Sequence, residues 1–478
     1  MARQTFLSRG ARSLLAIAAF TACATNPATG QRELSLVSES QEIQMGQEGA
    51  QAAAQQIGVY ADSALQRYVA ALGQNIATHS ERPGLPWSFT VADDPVVNAF
   101  ALPGGPIFIT RGILGYMNSE AQLVSVLGHE IGHVTARHSV RQISRQQLLS
   151  IGLIGAMVVR PELAQFGDLA SQGLGLLFLK YGRDDETQAD DLGFRYMTSG
   201  GYDPREMAEM FRILERTSEG SERTPEWLST HPDPGNRVQK TLDRIAAAGP
   251  TAGGTKVNRE VFLRHIDGIV YGEDPRNGFF QQQTFLHPAL RFRFDFPAGW
   301  RTLNQASQVV GVSAQQDAQI TLTTAGNTAP QQALSQFLGQ QGIQAGQTST
   351  SAINGLPSAV GQFAAQTEQG VIAGYVAFLQ LDGATYRILA ITPQQGMSRY
   401  DAPFRQVIGS FARLTDARAL AAKPSRIRIV QIPRAMTLGQ FNQQYPSTIP
   451  LDQLALINGV ETGATLESGR LVKRVVVE

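Results

Sequence analysis

The chain has 478 residues, with 40 Lys+Arg against 40 Asp+Glu, a formal net charge of zero and 17% charged residues. That balance leaves no electrostatic footprint for nucleic acid or an acidic partner, and the length accommodates two or three domains with a sizeable core. The single cysteine, Cys23, excludes an intrachain disulfide.

Arg3, Arg9 and Arg12 precede a short apolar run, 14–20, which leads into Phe20-Thr21-Ala22-Cys23. The run is too short to span a bilayer. The pattern resembles a bacterial lipoprotein signal, residues 1–22, removed ahead of a lipidated Cys23. The alternative is an ordinary secretory signal cut nearby, and under either reading the mature chain is exported. Within the lipoprotein resemblance, Ala24 in place of Asp after the cysteine implies the outer membrane.

Ser38, with Glu39 and Glu42 in a first turn and Gly58 as a stop, predicts a helix over 38–57. A second helix is predicted over 62–77, with Leu65, Tyr68, Val69, Leu72 and Ile76 on one stripe. Pro83, Gly84 and Pro86 break the pattern, and 87–91 alternate as a half-buried strand does. Residues 98–110 read as two extended pieces around Pro103-Gly104-Gly105-Pro106. An edge strand here, with Asn98, Ala99 and Phe100, offers a place for an extended substrate to add itself through backbone hydrogen bonds. The plain alternative is a hairpin that only packs.

Ser119 and Glu120 open a helix predicted to run to about His138, and this helix carries His129-Glu130-Ile131-Gly132-His133, an H-E-x-x-H motif. Positions i and i+4 share a helix face, so His129 and His133 aim at one point, which suits Zn²⁺ with its nitrogen ligands at about 2.0–2.1 Å. Glu130 lies about 100° further round, too far to ligate easily but placed to take a proton from a catalytic water. Ala121, Val124, Leu127, Ile131 and Val134 recur at helical spacing and predict a buried helix. Gly128 and Gly132 each cost about 1 kcal/mol against Ala, so close approach of another backbone or a substrate is expected there.

Residues 148–159 read as an apolar buried or substrate-facing helix, and a further helix is predicted over 161–178. A zinc site needs a third protein ligand and an open position for water. In Asp184-Asp185-Glu186-Thr187-Gln188-Ala189-Asp190-Asp191, Glu186 is the leading candidate. Asp190 lies one turn beyond, where it would accept the outer N–H of a ligand histidine. Asp184, Asp185 and Asp191 compete with Glu186 on spacing alone, and acidic residues in a first turn also simply complement a helix dipole. Gly200-Gly201 ends this helix. Another, starting at Asp203-Pro204, places Met207, Met210, Phe211 and Leu214 in a core, and Thr230-His231-Pro232 is a turn leading into a helix that runs to about Ala248.

A linker is predicted at 246–254, beyond which composition shifts to Gln, Gly, Ser and Thr. Arg291-Phe292-Arg293-Phe294-Asp295-Phe296 alternates cleanly, strands follow near 319–323, 375–380 and 386–391, and helices near 329–339 and 400–411. No catalytic constellation occurs there. Its opening, F-x-F-x-x-P-A-G-W, is similar to PsbP-like modules. The tail, 427–478, with Thr437-Leu438, Leu454-Ala455-Leu456-Ile457-Asn458 and Leu466-Glu467-Ser468-Gly469, resembles a degenerate LysM module. That resemblance implies contact with peptidoglycan, although Arg434-Ala435-Met436 stands where Gly-Asp is usual; a structural or protein-binding role is the alternative.

Asn98 to Gly105, Ser119-Glu120, the H-E-x-x-H segment, Glu186-Thr187-Gln188-Ala189-Asp190 and His231-Pro232 with Arg237 occur in one order. Through these motifs, residues 36–248 resemble the HtpX/BepA-like zinc metallopeptidases, relatives of the CAAX prenyl endopeptidases, in their lipoprotein branch of the bacterial envelope. The resemblance implies one Zn²⁺ per chain, Glu186 as third ligand, and a periplasm-facing enzyme acting on unfolded or misassembled envelope proteins. It also places His231 near the metal, either as a latch on the fourth position or as an oxyanion donor with Arg237 beside it. The expected fold is α+β: a mostly helical zincin-type metallopeptidase domain with a small edge sheet (23–250), a linker (251–285), an α+β accessory domain (286–416) and a small LysM-like tail (425–478). The rival functions are an envelope chaperone or assembly factor with little proteolysis, and a peptidoglycan-associated scaffold.

Overall fold

Helix α1 (Glu39–Gln56) begins with a reciprocal cap: Ser38 Oγ accepts from Gln41 N at 3.3 Å while Gln41 Oε1 accepts from Ser38 N at 3.0 Å. Helix α2 (Ser63–Ala77) begins at Asp62, whose carboxylate accepts from Ala64 N and Leu65 N, and it buries Leu65, Val69 and Ile76. This computed structural model describes residues 23–145, 181–218, 227, 230–231, 236–249, 254–367 and 370–478. The proposed signal, 1–22, and the two helices predicted over 148–178 lie outside the described residues.

The described chain forms two units. One comprises the described residues up to Ala54, Val59–Ile269 and Arg426–Val476; the other comprises Gln55–Gly58, Val270–Ser425 and Val477–Glu478. In the first, strands β1 (Cys23–Thr25) and β2 (Arg32–Leu34) pair with each other, and β3 (Ser88–Ala92), β4 (Ala99–Ala101) and β5 (Pro106–Thr110) form a sheet in the order β3-β5-β4. β3 runs parallel to β5, and β4 antiparallel, so β4 is an edge. The turn between β4 and β5 needs glycine twice, with φ +75° at Gly104 and +127° at Gly105, and a Cβ on Gly104 would sit 2.6 Å from Ile43 Cα of α1.

After the short helix α3 (Arg111–Tyr116) comes α4 (Glu120–Thr135), capped by Ser119 Oγ on Gln122 N. Every residue of α4 is buried. It stops at Thr135 rather than near His138, because Arg137 takes a left-handed φ of +56° before the chain turns helical again from 138 to 145. Glu42 and the Val37 carbonyl hold the Arg137 side chain, each at 2.9 Å.

Helix α5 (Arg183–Ser199) packs directly on α4, and the glycines explain how. A Cβ on Gly128 would meet Gly193 O at 3.1 Å, one on Gly132 would meet Ala189 O at 3.0 Å, and one on Gly193 would lie 2.9 Å from His129 N. The two backbones touch without intervening side chains, so the helical cost of Gly128 and Gly132 is offset by close approach of another helix. Helices α6 (Arg205–Ser218), α7 (Arg237–Ala248) and α8 (Arg259–Ile266) complete this part, with Met207, Met210, Phe211 and Leu214 buried.

In the second unit a seven-stranded antiparallel sheet runs in the order Arg301–Asn304, Gln308–Val312, Gln319–Thr324, Ala384–Pro393, Gly370–Leu381, Ser358–Thr367, Ile343–Ser349. Both faces are covered. Tyr375, Ala377 and Leu379 join Phe404, Val407 and Ile408 of the helix Met397–Ser410 in one core; Val376 and Phe378 join Ala333 and Leu334 of the helix Pro330–Leu338 in another. The period of two along one strand feeds both cores. The Arg291–Phe296 alternation forms the strand Phe292–Asp295 in a separate four-stranded sheet.

The last part of the first unit has strands Ser425–Gln431 and Leu471–Val477 around helices Leu438–Gln444 and Leu451–Ile457. Asn458 ties them together: Lys473 N donates to its Oδ1 at 2.8 Å, and its Nδ2 donates to Lys473 O at 3.0 Å. Lys473 is buried, and its ammonium donates to the carbonyls of Gly115 (2.9 Å) and Met117 (2.6 Å) at the end of α3. Among the described residues no helix is long and apolar enough to cross a membrane. The chain is therefore mixed helix and sheet, an α+β protein.

Candidate metal centre

His129 and His133 lie one turn apart on α4, and their Nε2 atoms are 3.0 Å apart. The α4–α5 packing brings Glu186 opposite them: Oε2 is 3.5 Å from His129 Nε2 and Oε1 is 3.4 Å from His133 Nε2. His231, ahead of α7, adds Nδ1 at 3.1 Å from Glu186 Oε1 and 3.4 Å from His129 Nε2. One ligand atom from each of these four residues lies within 4.8 Å of the others, and all four residues are buried. Asp184 and Asp191 are exposed, and Asp185 pairs with Arg141, so the three competitors of Glu186 stand outside this cluster.

Asp190 Oδ1 accepts from His129 Nδ1 at 2.9 Å. A carboxylate only accepts, so a His129 proton sits on Nδ1, and Nε2 is the nitrogen turned to the cluster. Arg237 holds Asp190 in turn, donating from Nε to Oδ2 at 2.9 Å and from Nη2 to Oδ1 at 2.5 Å. Its guanidinium lies 4.1 Å from the centroid of the Phe211 ring. The structure thus puts Arg237 against Asp190, with Nη1 3.8 Å from Glu186 Oε2.

Glu130 differs from its neighbours. It is fully buried, and among the described residues neither carboxylate oxygen has a hydrogen-bond partner; His231 Nε2 lies 3.6 Å from Oε1. Burial pushes its pKa above the ordinary carboxylate range, against the pull of His231 and His129. Burial also pushes Glu186 up, but His231 and His129 overcome it and hold the carboxyl well below its ordinary value. For His129, burial acts downward, and the bonds to Asp190 and Glu186 override it to lift the imidazole to about 9. Burial holds His133 well below the usual imidazole range.

One proton shared between the two converging imidazole nitrogens leaves Glu186 Oε2 with no hydrogen-bond partner among the described residues. A cation among them satisfies all three. The set of nitrogen and carboxylate donors fits zinc, and the chemistry of the donors matches a site with three protein ligands and one further position.

Two aromatic rings wall the cluster: Tyr181 stacks on His133 at 3.9 Å and Trp227 on His231 at 4.3 Å between ring centroids. His138 lies 2.9 Å from His133, Nδ1 to Nδ1, and Gln188 lies 2.8 Å from the other nitrogen of His138. Sequence reasoning assigned no role to Tyr181, Trp227, His138 or Gln188. A signal for His138 was present in the histidine distribution, since of only 7 in the chain, His129, His133 and His138 fall within one short stretch.

Of the edge-strand residues, Asn98 is buried, accepts from Thr110 N at 3.1 Å, and takes the Ala99 N–H on its own Oδ1 at 2.9 Å. Phe100 stacks on Phe108 of β5. Asn98 and Leu102 turn their backbone groups to β5, so by strand alternation those of Ala99 and Ala101 point away from it.

Comparison with known proteins agrees with this geometry. Residues 63–245 match peptidase family M48. The beta-barrel assembly-enhancing protease of Escherichia coli (strain K12) is 30% identical over 236 residues, 47% of this chain and 48% of that protein. The mitochondrial metalloendopeptidase OMA1 of Arabidopsis thaliana is 34% identical over 169 residues, 35% of this chain and 33% of its own. The chain thus spans about half or less of the length of these relatives. Among solved structures, cyanobacterial PsbP from Synechocystis sp. PCC 6803 is similar over 27% of this chain and 91% of its own, at 14% identity and a TM-score of 0.24, too low to carry an argument. The stretch that matches peptidase family M48, residues 63–245, encloses every member of the buried cluster.

Proposed function

We propose that this chain is a zinc-dependent endopeptidase that hydrolyses peptide bonds of unfolded or misassembled envelope proteins. The observation that carries the reading is Glu130, a buried carboxylate with no hydrogen-bond partner among the described residues, next to four converging ligand groups. A site built only for stability has no use for such a group. His129, His133 and Glu186 would hold the metal, with Asp190 and Arg237 orienting His129. Zinc, when bound, supplies the Lewis acidity that lowers the pKa of a water and polarises a carbonyl. Glu130 takes the proton of the attacking water as the carbon–oxygen bond forms, then delivers it to the leaving amine as the carbon–nitrogen bond breaks. The Ala99 carbonyl and the outer backbone groups of Ala101 on β4 are the expected seat of an extended substrate.

The substrate class rests on the name of the beta-barrel assembly-enhancing protease, similar over 47% of this chain, and on the proposed export signal. A lipid on Cys23 would tether the enzyme to the outer membrane, and a Cys23→Ser protein should then leave the membrane fraction. The LysM-like reading of 425–478 stays a proposal of peptidoglycan contact.

The test is casein digestion by the purified chain. Cleavage that a chelator abolishes and added zinc restores supports the peptidase; a zinc-loaded chain that cleaves nothing supports the assembly-factor rival. The same assay reads His231. With Nδ1 among the ligand atoms, His231 is well disposed to fill the fourth position as a latch. His231→Ala is then expected to raise basal cleavage of a denatured substrate, whereas loss of an oxyanion donor would lower kcat by about 10²–10³.

A further inference from the structure

We propose that His138 and Gln188 are positioning residues that keep the proton of His133 on Nδ1, so that its Nε2 lone pair faces the metal centre. The inference rests on the reading of the cluster as a metal site, and it concerns a ring on which no carboxylate acts directly at Nδ1.

Three separations in series carry it. Gln188 Oε1 is 2.8 Å from His138 Nε2, His138 Nδ1 is 2.9 Å from His133 Nδ1, and His133 Nε2 is 3.0 Å from His129 Nε2. A neutral imidazole has one N–H and one lone pair, and two ring nitrogens in hydrogen-bond contact share a single proton. Only two arrangements satisfy the chain. In the first, His138 donates from Nε2 to the Gln188 carbonyl and accepts on Nδ1 from His133, which leaves His133 Nε2 as an acceptor, facing a His129 that carries a proton on each nitrogen or, when one is bound, a cation. In the second, the Gln188 amide donates, every proton moves one place along, and His133 points an N–H into the cluster. The second arrangement blocks a ligand.

Asp185 selects the first. Its Oδ1 lies 4.0 Å from His138 Nε2, and a carboxylate there favours a proton on that nitrogen. The backbone makes the relay geometrically available. In an uninterrupted helix His133 and His138, five residues apart, would diverge by about 140°. The left-handed Arg137, φ +56°, breaks the helix and lets the two rings meet edge to face, at an interplanar angle of 75°. Helix α5 therefore serves both histidines: Asp190 orients His129 directly, and Gln188 orients His133 through His138.

The test compares Gln188→Met, which is similar in length with no strong acceptor, and Gln188→Glu, which can only accept while ionised. Gln188 is half-buried, so neither change opens the core. In metal-free full-length protein with ¹⁵N-labelled histidine, long-range ¹H–¹⁵N spectra report which nitrogen of each ring carries the proton. Wild type and Gln188→Glu are expected to hold His133 as the Nδ1–H form, and Gln188→Met to populate the Nε2–H form. Chelator competition should show zinc affinity weakened by about 10–100-fold in Gln188→Met, with Gln188→Glu near wild type. A Met variant with the wild-type tautomer and affinity overturns the proposal, and so does a Glu variant that loses as much affinity as Met, since both would indicate packing alone. A wild-type chain that takes up no zinc would instead refute the metal reading, while the spectra still decide the relay.

Discussion

Glu130→Gln is expected to leave a protein that takes up zinc like wild type and cleaves peptides at least ~10²-fold more slowly. The side chain sits between His129 and His133 in sequence, but on a different face of α4, so its loss removes no ligand. Among the described residues neither oxygen has a hydrogen-bond partner, so the amide forfeits no bond to them, and stability should change little. What the amide cannot do is accept a proton. Burial has already raised the Glu130 carboxyl pKa, bringing its basicity closer to what proton transfer near neutrality requires. Zinc content measured beside single-substrate kinetics checks the prediction. Substantial turnover by a zinc-loaded mutant would remove Glu130 as the base.

Glu186→Ala is expected to abolish stoichiometric zinc binding. Glu186 supplies the only carboxylate among the four converging groups, and it contacts His129, His133 and His231. Deleting it removes the carboxylate that faces all three imidazoles at once, while Asp190 reaches only the outer nitrogen of His129. Asp190→Ala should be milder, about 10–100-fold in affinity or activity, because it acts only by orienting His129. Metal analysis of the purified variants separates these outcomes. Because three histidines remain in Glu186→Ala, the double change with His231→Ala is informative. Full zinc in the single variant that vanishes in the double would transfer the third-ligand role to His231. Full zinc in Glu186→Ala with none in Asp185→Ala would mean the wrong acid was chosen.

Local rules read from the sequence describe much of the first unit. Ser38, Asp62 and Ser119 each cap the helix that follows, because a side-chain oxygen next to free backbone N–H groups needs no distant partner. The spacing of His129 and His133 is likewise a property of one helix. The second unit was less legible. The strands 319–324, 370–381 and 384–393 were recognised in part, whereas Ile343–Ser349 and Ser358–Thr367 went unread. Ile343–Ser349 is almost wholly exposed and consists mainly of Gln, Ser, Thr, Ala and Gly, so it has no buried apolar face to write an alternating pattern.

By itself, the sequence determined the chemistry available on α4: two imidazoles on one face and a carboxylate beside them. It made Glu186 the leading partner but left Asp184, Asp185 and Asp191 as competitors on spacing alone, and resemblance to a family again implied Glu186. Tertiary structure decided which acid arrives, because the Gly128–Gly193 approach sets the distance and rotation of α5 against α4. It also decided that α4 ends at Thr135. The bonds from Arg137 to Glu42 and to Val37 O cross 95 and 100 residues, and no window along the chain contains them. Glu130 lies at the limit of this division. Its identity is local, but its lack of partners among the described residues is a property of what packs around it, and that isolation is what suits it to proton transfer.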